Sequence, residues 1–154
     1  MIKSSAIFSE DRIHRYVLIR EWDLDKPSLM IVGLNPSTAD EEKNDPTVRR
    51  CIGFAKRWGF GKLLMTNIFA FRATLPKNLF KSENPIGDKN NYWLKKLSKK
   101  IDKIVLAYGN QGKFNNRHEE ILKIVDNPHC IKKTKNDMPI HPLYVKYTNN
   151  PIKY

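Results

Sequence analysis

Residues 28–37 read SLMIVGLNPS, and this stretch decides the fold. From Leu29 to Leu34 the run is apolar, broken only by Gly33. Such a run suits a strand buried on both faces, as parallel strands under helices are. The polar turn Asn35-Pro36-Ser37 ends it. Working outward, residues 62–71 (KLLMTNIFAF) and 103–108 (KIVLAY) are runs of the same kind, and residues 16–22 (YVLIREW) begin the sheet. Helical spacing fills the gaps. Asp45-Pro46 gives an N-cap and a first-turn proline, followed by Val48, Cys51, Ile52, Ala55 and Trp58 on one face. Asp88 is expected to cap a second helix with the stripe Trp93, Leu94, Leu97 and Ile101. Residues 115–126 form a third, with Ile121, Leu122 and Val125 inward and a Glu119/Lys123 pair on its surface. Residues 72–87 read as loop, residues 128–131 as a short strand, and residues 132–154 as a basic irregular tail. Strands separated by helices predict an α/β protein: one three-layer α/β/α domain over residues 1–154 with a mostly parallel central sheet. In such folds the site lies at the carboxyl ends of the strands, here residues 33–40, 67–74 and 109–112.

Composition narrows the function. The chain has 154 residues, 28 Lys+Arg against 16 Asp+Glu, and a formal charge of +12. One domain with a real core fits that length and the 40% hydrophobic content. No run approaches the roughly 20 apolar residues that span a bilayer. The opening MIKSSAIFSEDRIH lacks the apolar segment of a secretory signal, so no membrane association and a cytoplasmic location are expected. Two cysteines, Cys51 and Cys130, cannot build a disulfide framework, a four-Cys zinc site or a four-Cys cluster. The excess positive charge points to an anionic partner, nucleic acid first. Much of it lies at Lys95, Lys96, Lys99 and Lys100 and in residues 132–135. No GxGxxG or Walker A motif is present, and the acidic residues Asp40, Glu41, Glu42 and Asp45 lack matching histidines. Hence no cofactor and no metal are expected, and no protein partner is inferred.

Four segments carry candidate chemistry, each with a plain alternative. Gly33 to Ser37 is either a simple strand-to-loop turn or a close backbone approach to a ligand, with Asn35 holding a water or an amide edge. Asn67, late in a buried strand, either satisfies neighbouring backbone or reads a ligand. Arg72 follows in the exit loop, and His141 is the one histidine in a motif-like setting. Arg49 and Arg50 either form a solvated helix face or contact phosphates. Asp45 reads as a helix cap, and Cys51 falls on an apolar stripe.

Taken together, the order of these segments resembles the uracil-DNA glycosylase superfamily. Gly33-Leu34-Asn35-Pro36-Ser37 matches its first motif, Leu63-Leu64-Met65-Thr66-Asn67 running on to Arg72 its recognition strand, and His141-Pro142-Leu143 its carboxyl-terminal motif. The chain is still more similar to an uncharacterised bacterial and phage family with LNPSTAD (34–40), DPT-x-RRC-x-GFA (45–55), TN-x-FA-x-RAT (66–74) and HPLY (141–144). The glycosylase resemblance implies a monofunctional DNA glycosylase that flips a pyrimidine and leaves an abasic site. Asn35 then positions the attacking water, with Asp40 or Asp45 as candidate carboxylates. Gly33, Leu34, Pro36 and Ser37 shape the base pocket, Asn67 reads the base edge, and His141 hydrogen-bonds the base oxygen as charge develops. Leu143 or Tyr144 fills the vacated stack, and Arg49, Arg50 and Arg72 meet phosphates.

Ser37 stands where strict uracil enzymes place a tyrosine, and this leaves room at C5. The implied substrate is a C5-substituted or modified pyrimidine, such as those of phage DNA, and the implied role is antiviral defence. The competing readings are an N-glycosidase or hydrolase on free nucleosides or nucleotides, a non-catalytic module that recognises a modified base, and a small nucleic-acid-binding protein. The glycosylase reading also expects the basic surface to border the pocket.

Overall fold

The computed structural model describes residues 2–147 and 150–154. Seven strands form one sheet: β1 (Lys3–Phe8), β2 (Arg15–Glu21), β3 (Ser28–Gly33), β4 (Lys62–Asn67), β5 (Lys103–Leu106), β6 (His129–Cys130) and β7 (Ile152–Lys153). Their spatial order is β1-β2-β4-β3-β5-β6-β7. Four helices accompany them: α1 (Pro46–Arg57), α2 (Pro76–Lys81), α3 (Asn90–Ser98) and α4 (Arg117–Ile124).

Alternation within each central strand builds the layers. Leu29 and Ile31 of β3, Leu63 and Met65 of β4 and Val105 of β5 pack under Val48, Cys51, Phe54 and Ala55 of α1. Their neighbours Met30, Val32, Leu64, Ile104 and Leu106 face the other way, against Leu94 of α3 and Ile121 of α4. Both faces are thereby covered, as the apolar run at residues 28–34 requires. Helix α1 starts as its sequence demands: Asp45 accepts the Val48 amide at 2.9 Å, and Pro46 opens the first turn.

The sheet is mixed, which corrects the expectation of a mostly parallel one. Pairs β4/β3, β3/β5 and β5/β6 are parallel, whereas β1/β2, β2/β4 and β6/β7 are antiparallel. The reason is connection length. A parallel crossover needs a dozen or more residues, and residues 22–27 are too few, so β2 must run against β3. Four further features depart from the sequence reading. Strand β1 and the two-residue β7 are edge elements, too polar or too short for a periodic signal. Helix α2 interrupts the expected loop at residues 72–87. Asp88 does not cap α3: it accepts a hydrogen bond from the Asn84 amide at 2.9 Å, and Lys89 occupies the cap position. Among the described residues no helix is long and apolar enough to cross a membrane.

Candidate functional site

A cavity of about 680 Å³ opens where β3, β4 and β5 end. Asn35, Ser37, Asn67 and His141 line it together, although they come from three distant parts of the chain. Leu34 and Pro36 contribute to the same wall.

Asn67 is the most constrained of these residues. It pairs in register with Gly33 across the β3/β4 ladder and is 3% exposed. Its Nδ2 is buried and has no hydrogen-bond partner among the described residues. A Cβ on residue 33 would come within 2.8 Å of Asn67 Oδ1, so only glycine lets this side chain occupy its place. From behind, Asn90 of α3 donates to the Asn67 carbonyl at 2.8 Å. The buried Arg117 of α4 donates to the Ile68 carbonyl at 2.7 Å. The backbone is therefore anchored, and Asn67 borders the cavity with its Nδ2 unpartnered among the described residues.

Asn35 is held differently. Its Nδ2 donates to the carbonyls of Pro36 (3.0 Å) and Ala73 (2.8 Å), which uses both N–H groups. The Oδ1 remains as an oriented acceptor, suited to a water or an N–H edge. Ser37 Oγ lies 3.1 Å from Thr74 Oγ1.

His141 begins a short 3₁₀ turn at Pro142–Tyr144, and its Nδ1 accepts the Leu143 amide at 3.2 Å. Burial holds the imidazole below its ordinary pKa. A neutral ring with Nδ1 accepting carries its proton on Nε2, so it presents a donor. Gly109, with φ of 72°, turns the chain after β5 beside His141. The turn leaves Leu143 and Tyr144 46% and 79% exposed at the cavity rim.

The other sequence candidates, Asp45 apart, lie elsewhere. Asp40 is not part of the cavity wall. Its Oδ1 accepts the amides of Glu42 (2.9 Å) and Lys43 (2.8 Å), and these bonds hold its carboxyl below the usual range. Asp45 does line the cavity, with Oδ1 on the Val48 amide and Oδ2 on the Ala39 amide at 3.4 Å. Arg72 donates to the Ser37 carbonyl at 3.3 Å and the Arg12 carbonyl at 3.2 Å, so it shapes the loop. Arg49 is exposed and donates to the Asn44 carbonyl at 3.1 Å. Arg50 turns inward: it donates to the carbonyls of Pro142 and Val145 and stacks 3.8 Å from the Tyr147 ring. It braces the His141 turn and is not a free phosphate contact.

The basic surface is divided. Lys95, Lys96, Lys99 and Lys100 sit at the end of α3 that leads into Asp102, whose carboxylate accepts the Ser28 amide at 2.8 Å at the start of β3. That is the end of the strands opposite the cavity, which corrects the expectation that this cluster borders the pocket. Of residues 132–135, Thr134 joins the cavity wall and donates to Asn110 Oδ1 at 2.7 Å.

Sequence reasoning missed Arg15, which is 2% exposed and lines the cavity. It also missed the chain Tyr108–His118–Tyr154. Tyr154 donates to the Asp137 carbonyl at 2.6 Å, so it accepts from His118 Nε2 at 3.1 Å, and His118 Nδ1 accepts from Tyr108 at 2.5 Å. Nothing local in the sequence marks these pairings.

Fold and cavity define an α/β protein with a cavity at the strand ends, lined by residues from both halves of the chain. The chain belongs to the DUF1643 family, described as proteins of unknown function, with the match covering residues 15–143. No curated protein and no solved structure matches it.

Proposed function

We propose that this protein is a monofunctional DNA glycosylase acting on a flipped pyrimidine, with a C5-substituted or modified base as its substrate. The observation that carries the proposal is Asn67: a buried amide with an unpartnered Nδ2, in the same cavity as Asn35 and His141. An unsatisfied buried donor costs about 1–3 kcal/mol. A ligand edge that pairs with it recovers that cost, and a side-chain amide matches a pyrimidine edge with both donor and acceptor. The motif resemblance to uracil-DNA glycosylases assigns these same three residues to base reading, water positioning and base-oxygen stabilisation.

In this reading Leu143 and Tyr144, exposed at the rim, enter the stack as the base leaves it. The C1′–N1 bond breaks and its electron pair departs with the base. Nε2–H of His141 hydrogen-bonds the base oxygen where charge accumulates. A water held on Asn35 Oδ1 adds its oxygen to C1′, and its proton ends on the departing base. Ser37 offers a small hydroxyl beside the ring position C5. A family role in defence against modified phage DNA follows from that substrate.

A second reading, a non-catalytic module for modified bases, has one observation in its favour. Asp40 lies outside the cavity, and both oxygens of Asp45 already accept backbone amides. Mass spectrometry of bases released from duplexes carrying uracil, thymine mismatches and C5-modified cytosines separates the two. Release that is lost in Asn35→Ala supports the enzyme, and tight binding without release supports the module. If Leu143→Ala and Tyr144→Ala leave hydrolysis of free nucleosides intact and no base is released from DNA, the substrate is a small molecule.

A further inference from the structure

Three arginines are buried almost completely: Arg15, Arg20 and Arg117. Two of them are fully served. Arg20 donates from Nε to Asn44, from Nη1 to the Ile19 carbonyl and from Nη2 to the carbonyls of Asp40 and Lys43. Arg117 donates from Nε to the Ile68 carbonyl, from Nη1 to Glu120 and from Nη2 to Asn91. Arg15 makes one hydrogen bond among the described residues, from Nη1 to the Ala39 carbonyl at 3.1 Å. Its Nε is buried and unpartnered, and among the described residues no hydrogen bond from Nη2 is formed. Of the three, Arg15 is the one that lines the cavity.

The free edge is informative. Nε and Nη2 form the side of the guanidinium that grips two oxygens of one anion. Asp45 lies close enough to act on Arg15 electrostatically, but its oxygens serve the Val48 and Ala39 amides and do not close the fork. The same wall includes Thr38, Thr47 and the start of the twelve-residue helix α1, whose dipole favours negative charge. A second, independent orphan, Asn67 Nδ2, lies in the same cavity. A volume of about 680 Å³ falls in the range that accepts a ligand of drug size, more than a bare base.

We infer that Arg15 forms a phosphate subsite in the cavity wall, distinct from the base subsite at Asn67 and His141. The ligand group is a phosphate ester: a diester of the DNA backbone beside the flipped nucleotide, or a monoester on a free nucleotide. This rests in part on the glycosylase reading, since a nucleotide fills both subsites at once, but binding is measured without turnover.

The test uses the intact protein. Its melting midpoint is followed in inorganic phosphate against chloride at equal ionic strength, then with thymidine, thymidine monophosphate and a short thymidine oligonucleotide. Inorganic phosphate is expected to raise the midpoint where chloride does not, and Arg15→Met to abolish that increment. The same substitution should weaken binding of the phosphorylated ligands about 10- to 100-fold, the scale of a lost hydrogen bond to a charged group, with thymidine unaffected. Because an unpaired buried cation is removed, the free Arg15→Met protein is expected to melt no lower than the parent. A preference for the monophosphate identifies a monoester site, and a preference for the oligonucleotide a diester site. If the parent protein gains nothing from phosphate, nucleotide or oligonucleotide over chloride, the subsite is refuted, whatever the variant does. Base release can still occur in that case, so the two proposals fail separately.

Discussion

Replacing Asn67 with alanine is expected to stabilise the free protein while disabling it. The amide is 3% exposed and its Nδ2 is unpartnered, so the folded state carries a desolvation cost of about 1–3 kcal/mol. Alanine removes that cost. Against it stand the lost contact with Gly33 and the lower strand preference of alanine, together under about 1 kcal/mol. No closed void is left, because the side chain borders an open cavity. The net expectation is a gain of about 1 kcal/mol, or about 2–4 °C in melting midpoint for a chain of this size. Scanning calorimetry measures that arm. Single-turnover base release measures the other, where the loss of a donor to the departing base is expected to cost ~100-fold or more. A midpoint that falls by several degrees refutes the reasoning, because it means the amide serves the fold. Unchanged release refutes the assigned role of Asn67 in base reading.

Other outcomes follow from the same geometry. Burial lowers the His141 pKa, so as pH falls the unfolded chain takes up the proton first, near its ordinary value of about 6.5. The contribution of neutral His141 is full above that pH and declines below it; melting midpoints from pH 7.5 to 5 should fall less steeply in His141→Gln than in the parent. Asp45→Ala removes the cap of α1 and should cost about 1–2 kcal/mol, whereas Asp45→Asn keeps the fold; chemical denaturation measures both. If Asn at position 45 also stops base release, the carboxylate takes part in the chemistry. Burial pushes the thiols of Cys51 and Cys130 up, so a maleimide should label neither in the native protein and both after denaturation, as read by mass spectrometry.

Much of the fold is legible in short stretches. The run at residues 28–34, the Asp45-Pro46 start and the stripe beginning at Val48 each specify an element locally, and each occurs where its pattern places it. Strand direction was equally legible, since residues 22–27 cannot carry a crossover, but periodicity alone does not express it. Asn35, Ser37, Asn67 and His141 were found because they end buried strands or sit in compact motifs, and the cavity collects them. Arg15 was not found. An arginine opening a strand reads as an edge residue, and its burial comes from the Ala39 loop folding over it. Arg50 read as surface charge because its partners, the Pro142 and Val145 carbonyls, lie about ninety residues away. Long-range acceptors of this kind leave no local trace.

The contact between residues 33 and 67 also constrains how the protein can change. A methyl at position 33 displaces the Asn67 amide, and under the proposed role of Asn67 the displaced amide no longer pairs with the base. The two positions are therefore epistatic. Alanine at 33 becomes tolerable once 67 has shrunk, and after that exchange a return to asparagine at 67 is blocked until glycine is restored. Under that role, a lineage that has made both exchanges regains recognition only by two substitutions in a fixed order, glycine at 33 before asparagine at 67, and is held away from it by the backbone of its own sheet.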